Sequence, residues 1–329
     1  MMEKHIPFLT PDQMQGLLGA IERITEAPRE FNPECQSAEP TDVVRLLTSK
    51  PWRRTSVNDE TATDMQAKVA HAMATAEPIR LAVPFGGYKS WRARTFPHID
   101  WAEVFWLDYL YRYSRRLVEV YKPGVEISLS YTGGILSWMN DLPPNTAEVY
   151  QQELSGLLQI MSRGGVQFAL EDHSLAYGGP EEVITMLERQ AREGPMPGEK
   201  ERMSAARNLF PRLGQTHWSP DDIAVEQSAR RCSAMLALDQ RRKFNKFGPR
   251  IQITHIRGAG LSLHLGSTRS SVAQPWVMSG YLEWDTAKSE WIERLANTDT
   301  WPKGTDDVVI EHSLGATFAT LQAIPVLCQ

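Results

Sequence analysis

The chain of 329 residues has few cysteines and no excess of positive charge, and each absence excludes a class of protein. Its three cysteines, Cys35, Cys232 and Cys328, are far apart and form no CxxC pair. That number and spacing exclude a disulfide framework and a thiolate zinc site. With 35 Lys and Arg against 40 Asp and Glu, the net charge is −5, so no general affinity for nucleic acid is expected.

Long apolar runs are also missing. No stretch approaches the ~18 apolar residues that span a membrane, and the first residues contain no apolar signal core. We therefore expect a cytoplasmic protein that does not contact membranes. Because 42% of the residues are hydrophobic and 23% are charged, the composition is that of a globular protein with a substantial core. The GxSxG, HExxH and GxxxxGK motifs are absent, so common hydrolase, zinc-protease and P-loop mechanisms are not indicated.

Strand and helix patterns alternate through the middle of the chain. Strands are predicted at 78–85, 125–131 and 166–170, with helices beginning at Trp101 and at about Thr146 between them. A β-α-β-α-β order is typical of a parallel sheet with helices on its faces. We therefore predict an α/β fold with a Rossmann-like, mainly parallel sheet covered by helices on both faces.

The remaining segments predict how the chain is organised. Residues 1–76 carry helical patterns only, so we predict an N-terminal helical segment packed on the core, followed by an α/β catalytic domain at 77–329. The stretch near 178–218 is rich in Gly, Pro and charge around two short helices and predicts a helical insertion or lid. Further strands are predicted at 250–255, 260–265 and 275–283.

The densest candidate site is the loop that follows the first of these strands. Ligands of open α/β sheets bind beyond the carboxyl ends of the strands, where this loop lies. Gly86 and Gly87 would let backbone N–H groups approach an anion, and Lys89, Arg92 and Arg94 would supply positive charge. The alternative interpretation is a glycine turn with solvated basic residues.

A second motif, His98-Ile99-Asp100, matches half of a non-haem iron facial triad. The distant ligand would be His255, His264 or His312. Asp100, however, directly precedes a predicted helix and lies three residues before Glu103, which is the spacing of a helix capping box. The capping box is the interpretation we favour.

Several short segments occur in an order that is informative as a set. They are Glu77–Ile79, Pro84 with Lys89–Ser90, Asp100–Glu103, Tyr121–Gly124, Ile127–Ser130, Tyr150, Arg250–His255 and Pro275–Trp276. Together they resemble the isocyanide (isonitrile) synthases of the pyoverdine/dityrosine biosynthesis family. The resemblance covers roughly residues 75–165 and 225–285.

The resemblance implies a chemistry. In that family the amine of an amino acid condenses with the ketone of ribulose 5-phosphate, and the sugar supplies the isocyanide carbon without a metal. It therefore implies an enzyme of secondary metabolism, a transferase or lyase, that acts on an amino acid or an amino-acid-derived substrate. Ribulose 5-phosphate would be the carbon donor, no cofactor would be needed, and a downstream oxygenase of the same pathway would be a partner.

The resemblance also implies site residues. Catalytic roles fall to Lys89, Glu103 and His255 because imine formation and sugar cleavage need groups that donate and accept protons. No metal ligands are implied. The substrate-binding residues would be Gly86, Gly87, Tyr88, Ser90, Arg92, Arg94, Tyr131, Thr132, Arg250, Arg257 and Trp276.

This chain departs from the family pattern at several places. Gly86-Gly87 replaces a Phe-Pro pair, and Thr132 stands where the family has an acidic residue. Arg257 and Val277 replace a Gln and a His. Two alternatives therefore stay open: a non-haem Fe(II) oxygenase using His98 and Asp100, and a non-catalytic small-molecule-binding relative.

Overall fold

A computed structural model describes residues 9–25, 38–131, 134–212, 215, 217–241, 249–254, 262–265, 275–309 and 321–328. The α-helices are Pro11–Thr25 (α1), Pro40–Leu47 (α2), Asp59–Thr75 (α3), Trp101–Val118 (α4), Ile135–Met139 (α5), Thr146–Met161 (α6), Pro180–Glu193 (α7), Glu199–Asn208 (α8) and Ile223–Arg241 (α9). The strands are Ile79–Pro84 (β1), Val125–Tyr131 (β2), Val166–Asp172 (β3), Ile251–Thr254 (β4), Ser262–His264 (β5), Ser279–Asp285 (β6), Glu290–Ala296 (β7), Asp306–Val309 (β8) and Ala323–Leu327 (β9).

The central sheet has five described strands in the order β3-β2-β1-β4-β5, and every neighbouring pair is parallel. This confirms the predicted α/β, Rossmann-like architecture. Helices α4 and α6 connect β1 to β2 and β2 to β3, and both pack against β3. The strand order reverses between β1 and β4, and ligands of such sheets bind in the crevice at that point. The glycine loop at 86–89 leaves β1 there.

One face of the sheet forms the main core. Leu81, Ile127, Phe168 and Ile251 occupy paired positions on this face, and all are buried. They belong to the same apolar cluster as α4, which is buried on nearly all sides. Side chains of α1, α2 and α3 also join that cluster. Hydrophobic burial of this area fixes the beginning of α4 against the carboxyl edge of the sheet.

A second sheet was not predicted from the sequence. Its strands lie in the order β7-β6-β9-β8, and β6 pairs antiparallel with β7 so that Trp284 faces Trp291. The predicted strand at 275–283 is wrong at its beginning, because Pro275–Val277 forms a 3-10 turn and the strand begins at Ser279. The turn is held from outside the sheet, since Ser90 N–H donates to the Trp276 carbonyl at 2.6 Å.

Helices α7 and α8 occupy the region where a helical insertion was predicted. Both pack on α9, and these helices share two small apolar clusters separate from the main core. The Trp91 indole N–H donates to the Asn208 carbonyl at 3.2 Å, which joins the end of α8 to the segment after the glycine loop. Within the described ranges, no helix is both long and apolar enough to span a membrane.

Candidate functional site

A buried ionic cluster lies beneath the glycine loop. The Lys89 ammonium, which is 0% exposed, lies 2.8 Å from both Glu103 carboxylate oxygens and 3.2 Å from Asp100 Oδ1. It also donates to the Pro275 carbonyl at 3.1 Å. The loop, the beginning of α4 and the 275–277 turn are therefore joined at one side chain, because a buried charge must be paired and hydrogen-bonded.

The beginning of α4 supplies both carboxylates. Asp100 Oδ1 accepts from Ala102 N–H at 2.7 Å, and Glu103 Oε2 accepts from Asp100 N–H at 2.8 Å. This is the predicted capping box, which satisfies N–H groups that a helix leaves without partners. Asp100 also accepts from Gly280 N–H at 3.2 Å and from the Thr95 hydroxyl at 2.7 Å.

These contacts bear on the iron alternative. The Asp100 carboxylate is occupied by backbone N–H groups, a hydroxyl and Lys89, and His98 Nδ1 lies 2.7 Å from Glu153 Oε1. A facial triad needs its carboxylate and imidazoles turned toward a common open position. The occupied Asp100 carboxylate does not suit that arrangement.

The Glu103 and Asp100 carboxylates share the single Lys89 ammonium in this buried cluster. Burial raises the pKa of Glu103 from its ordinary value to about 7, although the nearby Lys89 charge lowers it. The Tyr150 hydroxyl donates to Glu103 Oε1 at 2.9 Å, and burial holds the pKa of Tyr150 well above its ordinary value. Glu103 can therefore hold or release a proton near neutral pH, which is the property a general acid or base needs.

The two loop glycines pack against aromatic rings. A Cβ atom on Gly86 would lie 2.5 Å from Trp276 Cδ1, so only glycine lets the indole ring approach this closely. Gly87 has φ +76°, and a Cβ atom there would lie 3.2 Å from the Tyr131 ring. The glycines thus bring the predicted residues Trp276 and Tyr131 together with the loop. The Phe85 ring contacts both, with centroid distances of 5.2 Å and 6.4 Å.

The other predicted residues of the loop have partners of their own. The Tyr88 hydroxyl accepts from Asn140 Nδ2 at 2.7 Å, and burial raises its pKa to about 12. Ser90 holds the 275–277 turn through its N–H group, and its hydroxyl accepts from Arg92 N–H at 3.3 Å.

The three predicted cations do not form one patch. Arg92 forms an ion pair with Asp299, and the Arg94 guanidinium lies 4.3 Å from the centre of the Trp301 ring. Both arginines therefore contact the segment after β7, whereas Lys89 lies inside the protein. A phosphate grip that uses all three at once is not supported by these positions.

Arg250 lies at the beginning of β4 and pairs with Glu171 near the carboxyl end of β3. Glu171 Oε2 also accepts from the Ser130 hydroxyl at 3.3 Å. Three predicted site residues, Thr132, His255 and Arg257, lie outside the described residues, so their places in the site stay predictions.

Tyr150 was not predicted as a site residue, and for Glu171 the sequence favoured a polar loop after a strand over acid/base groups or a metal ligand. Tyr150 contacts a carboxylate 47 positions earlier, and Arg250 contacts one 79 positions earlier. Because the partners are so far apart in the sequence, no short motif points to either contact. The one available signal for Glu171 was that polar residues follow a predicted strand at 166–170.

Comparison with solved structures finds the PvcA protein from Pseudomonas aeruginosa, with a TM-score of 0.58 and 16% identity over 88% of this chain and 100% of PvcA. A tyrosyl-tRNA synthetase from Archaeoglobus fulgidus, solved with L-tyrosine, gives a TM-score of only 0.36 at 15% identity over 78% of this chain and 71% of the synthetase. No protein-family model matches the chain, and no curated protein sequence matches it. The chain is therefore similar in fold, at low sequence identity, to PvcA.

Proposed function

We propose that this protein is an isocyanide synthase-like biosynthetic enzyme that acts on the amine of an amino acid or an amino-acid-derived substrate. The observation that carries the proposal is the likeness to PvcA over the whole of that chain, together with the ordered sequence segments that resemble the same family. Ribulose 5-phosphate is the carbon donor that the resemblance implies. Its ketone would condense with the amine and release water.

The buried cluster supports proton transfer at this site. Condensation of an amine with a ketone requires groups that take up and return protons. Glu103, with a pKa raised to about 7, has the required proton affinity, and Tyr150 and Lys89 fix both of its oxygens. In this proposal Glu103 exchanges the proton, and Lys89 holds Glu103 and the 275–277 turn in place.

Trp276, Tyr131 and Phe85 would form the wall beside the reacting amine. Aromatic side chains suit a pocket with an apolar body and a few polar groups. Arg92 contacts Asp299 and Arg94 contacts Trp301, so neither arginine points to the aromatic wall. In this proposal they would attract an anionic co-substrate from the side of the loop away from that wall.

One observation favours a second candidate, a non-catalytic small-molecule-binding relative. Lys89 and Glu103 are both 0% exposed and neutralise each other, as in a purely structural ion pair. The two candidates differ in turnover, since a binding protein would take up an amino acid without changing it.

The experiment is a product screen by mass spectrometry. The purified protein is incubated with each standard amino acid, with and without ribulose 5-phosphate, and products are detected by mass. We expect an amino-acid-derived isocyanide only when both substrates are present, and at least about tenfold less from Glu103→Gln. Glu283→Gln, on the second sheet, is the matched control and should keep full activity. Binding of an amino acid without product would favour the second candidate.

A further inference from the structure

Lys89 differs from the other lysines of the described residues. Its side chain is 0% exposed, whereas the others are partly or fully exposed. Four oxygen atoms surround its ammonium group at 2.8 to 3.2 Å: both carboxylate oxygens of Glu103, the Pro275 carbonyl and Asp100 Oδ1. Lysines are almost never fully buried, because removing an ammonium from water is costly. Buried lysines of this kind include those that act as bases or form imines in enzymes.

Glu103 can take a proton from this ammonium. Each of its carboxylate oxygens lies 2.8 Å from Lys89 Nζ, and transfer of the proton along either contact gives a neutral amine and a neutral carboxylic acid. Burial favours that form, because neither group then carries a charge. The raised pKa of Glu103, about 7, agrees with this transfer. A neutral amine beside a carboxylic acid is what attack on a carbonyl carbon and loss of water require.

The neighbouring polar groups lack these properties. Arg92 and Arg94 carry guanidinium groups, which stay protonated and are not nucleophiles. Burial raises the pKa of Tyr88 to about 12 and that of Tyr150 well above its ordinary value, so both hydroxyls keep their protons near neutral pH. Among these side chains, Lys89 is therefore the one suited to attack a carbonyl carbon.

We infer that Lys89 is a catalytic nucleophile that forms a covalent imine with the ketone of the sugar substrate. The inference rests on the proposed function and adds an enzyme-bound intermediate to it, since the resemblance implies only that the amine of the amino acid condenses with the ketone. Lysine amines form such imines with carbonyl substrates, and the covalent intermediate divides one difficult step into two easier ones.

Atoms and charge balance in this step. The Lys89 ammonium gives a proton to Glu103, and the amine forms a bond to the ketone carbon while a proton passes from the nitrogen to the ketone oxygen. Glu103 then protonates the resulting hydroxyl group, which leaves as water, and the nitrogen becomes part of a positively charged iminium. The charge beside Glu103 and Asp100 is the same before and after, so neither buried carboxylate loses its cationic partner.

The amino acid completes the exchange. Its neutral amine adds to the iminium carbon, and the bond from that carbon to Lys89 Nζ breaks. Lys89 regains its ammonium with a proton from the new imine, and the sugar is now bound to the amino acid. The product is the same imine that direct condensation would give. An iminium carbon is more reactive toward an amine than a ketone carbon is, because the nitrogen carries a positive charge.

The 275–277 turn forms the outer layer over the ammonium. Its Pro275 carbonyl accepts from Lys89 Nζ at 3.1 Å, and it carries Trp276, a member of the aromatic wall. Trp276 is partly exposed, whereas Phe85, whose ring centre lies 5.2 Å from that of Trp276, is buried. In this inference the turn moves aside when the sugar binds, which releases the Pro275 contact and opens Nζ to the ketone.

The test traps the imine by reduction. The wild type is incubated with ribulose 5-phosphate and sodium cyanoborohydride, which reduces an iminium to a stable secondary amine, and no amino acid is added. The protein is then digested, and its peptides are mapped by mass spectrometry. We expect a sugar phosphate on the peptide that contains Lys89 and only traces on the peptide that contains Lys288, whose side chain is 48% exposed.

Variants separate this chemistry from unspecific labelling. Glu103→Gln cannot take up and return the proton, so it should lower the yield at Lys89 about tenfold or more. Glu283→Gln is the matched control, because Glu283 also pairs with a cation, Arg294, but lies on the second sheet, and it should be labelled as the wild type is. Lys89→Arg keeps the positive charge and should remove the label. If a variant does not fold, the peptide map of the wild type decides, because it identifies the labelled lysine directly.

The outcomes keep this inference apart from the proposed function. No label at Lys89, or as much label at Lys288 as at Lys89, would overturn the inference, and isocyanide formation would still support the proposed function through direct condensation. Label at Lys89 without an isocyanide from any amino acid would support the inference and contradict the proposed function.

Discussion

Replacing Lys89 by methionine tests the buried cluster most severely. The substitution removes the ammonium and leaves the Glu103 and Asp100 carboxylates together, with side chains 0% and 5% exposed. Breaking a buried ion pair by removing one partner costs about 3–5 kcal/mol, because the remaining charge has no compensating partner. An unfolding entropy of about 2.1 cal/mol/K per residue gives about 1.4 °C per kcal/mol for 329 residues, so the melting temperature should fall by roughly 4–7 °C.

The assay is thermal unfolding followed by circular dichroism at pH 7, with two companion variants. The double variant Lys89→Met, Glu103→Gln removes both charges and should recover about 1–3 kcal/mol of the loss, as coupled residues do. Arg45→Met, in an exposed pair with Asp42 at 2.9 Å, should cost no more than about 1 kcal/mol. If Lys89→Met costs as little as Arg45→Met, Lys89 does not hold the loop, α4 and the 275–277 turn together.

Two further predictions concern the same region. Because the folded protein raises the Glu103 pKa from 4.5 to about 7, it keeps a proton that the unfolded chain releases. The free energy of unfolding of the wild type should therefore fall as pH rises from about 4.5 to 7, and that of Glu103→Gln should not show this fall. If the free energies of wild type and variant change with pH in the same way across that range, Glu103 does not have the raised pKa. Gly86→Ala places a Cβ atom 2.5 Å from Trp276 Cδ1 and should lower the free energy of unfolding, measured in urea, by about 1–3 kcal/mol. The control is Gly134→Ala, whose Cβ atom would have no neighbour within 4 Å and which should not show this clash. Relief of the Gly86→Ala defect by Trp276→Leu would show that the indole causes it, and no relief would contradict that cause.

The fold of the parallel sheet could be predicted because its signals are local. Each of these signals, such as the apolar run of a strand or the cap of α4, lies within a few consecutive residues, so the order of the elements can be read along the sequence. The capping box of Asp100 and Glu103 was found for the same reason, since its two side chains bond to backbone groups of one helical turn.

The second sheet and the roles of the site residues could not be predicted in this way. Strands β6 and β7 mix polar, aromatic and apolar residues without clear alternation. Strand β9 is a short apolar run that contains Pro325, and it is paired with a strand more than 35 positions earlier. The loop pattern predicted Lys89 as one of three cations of an anion site, because nothing local shows that Glu103 and the Pro275 carbonyl enclose it. The glycines looked suited to an anion, whereas the structure places aromatic rings against them.

We propose that this protein converts the amine of an amino acid into an isocyanide whose carbon comes from ribulose 5-phosphate. The most direct measurement uses ribulose 5-phosphate labelled with ¹³C at every carbon, an amino acid that the protein binds, and mass spectrometry of the product. We expect an isocyanide one mass unit heavier than that formed with unlabelled sugar, because a single carbon is transferred. A product that contains no labelled carbon, or the recovery of the amino acid unchanged, would contradict it.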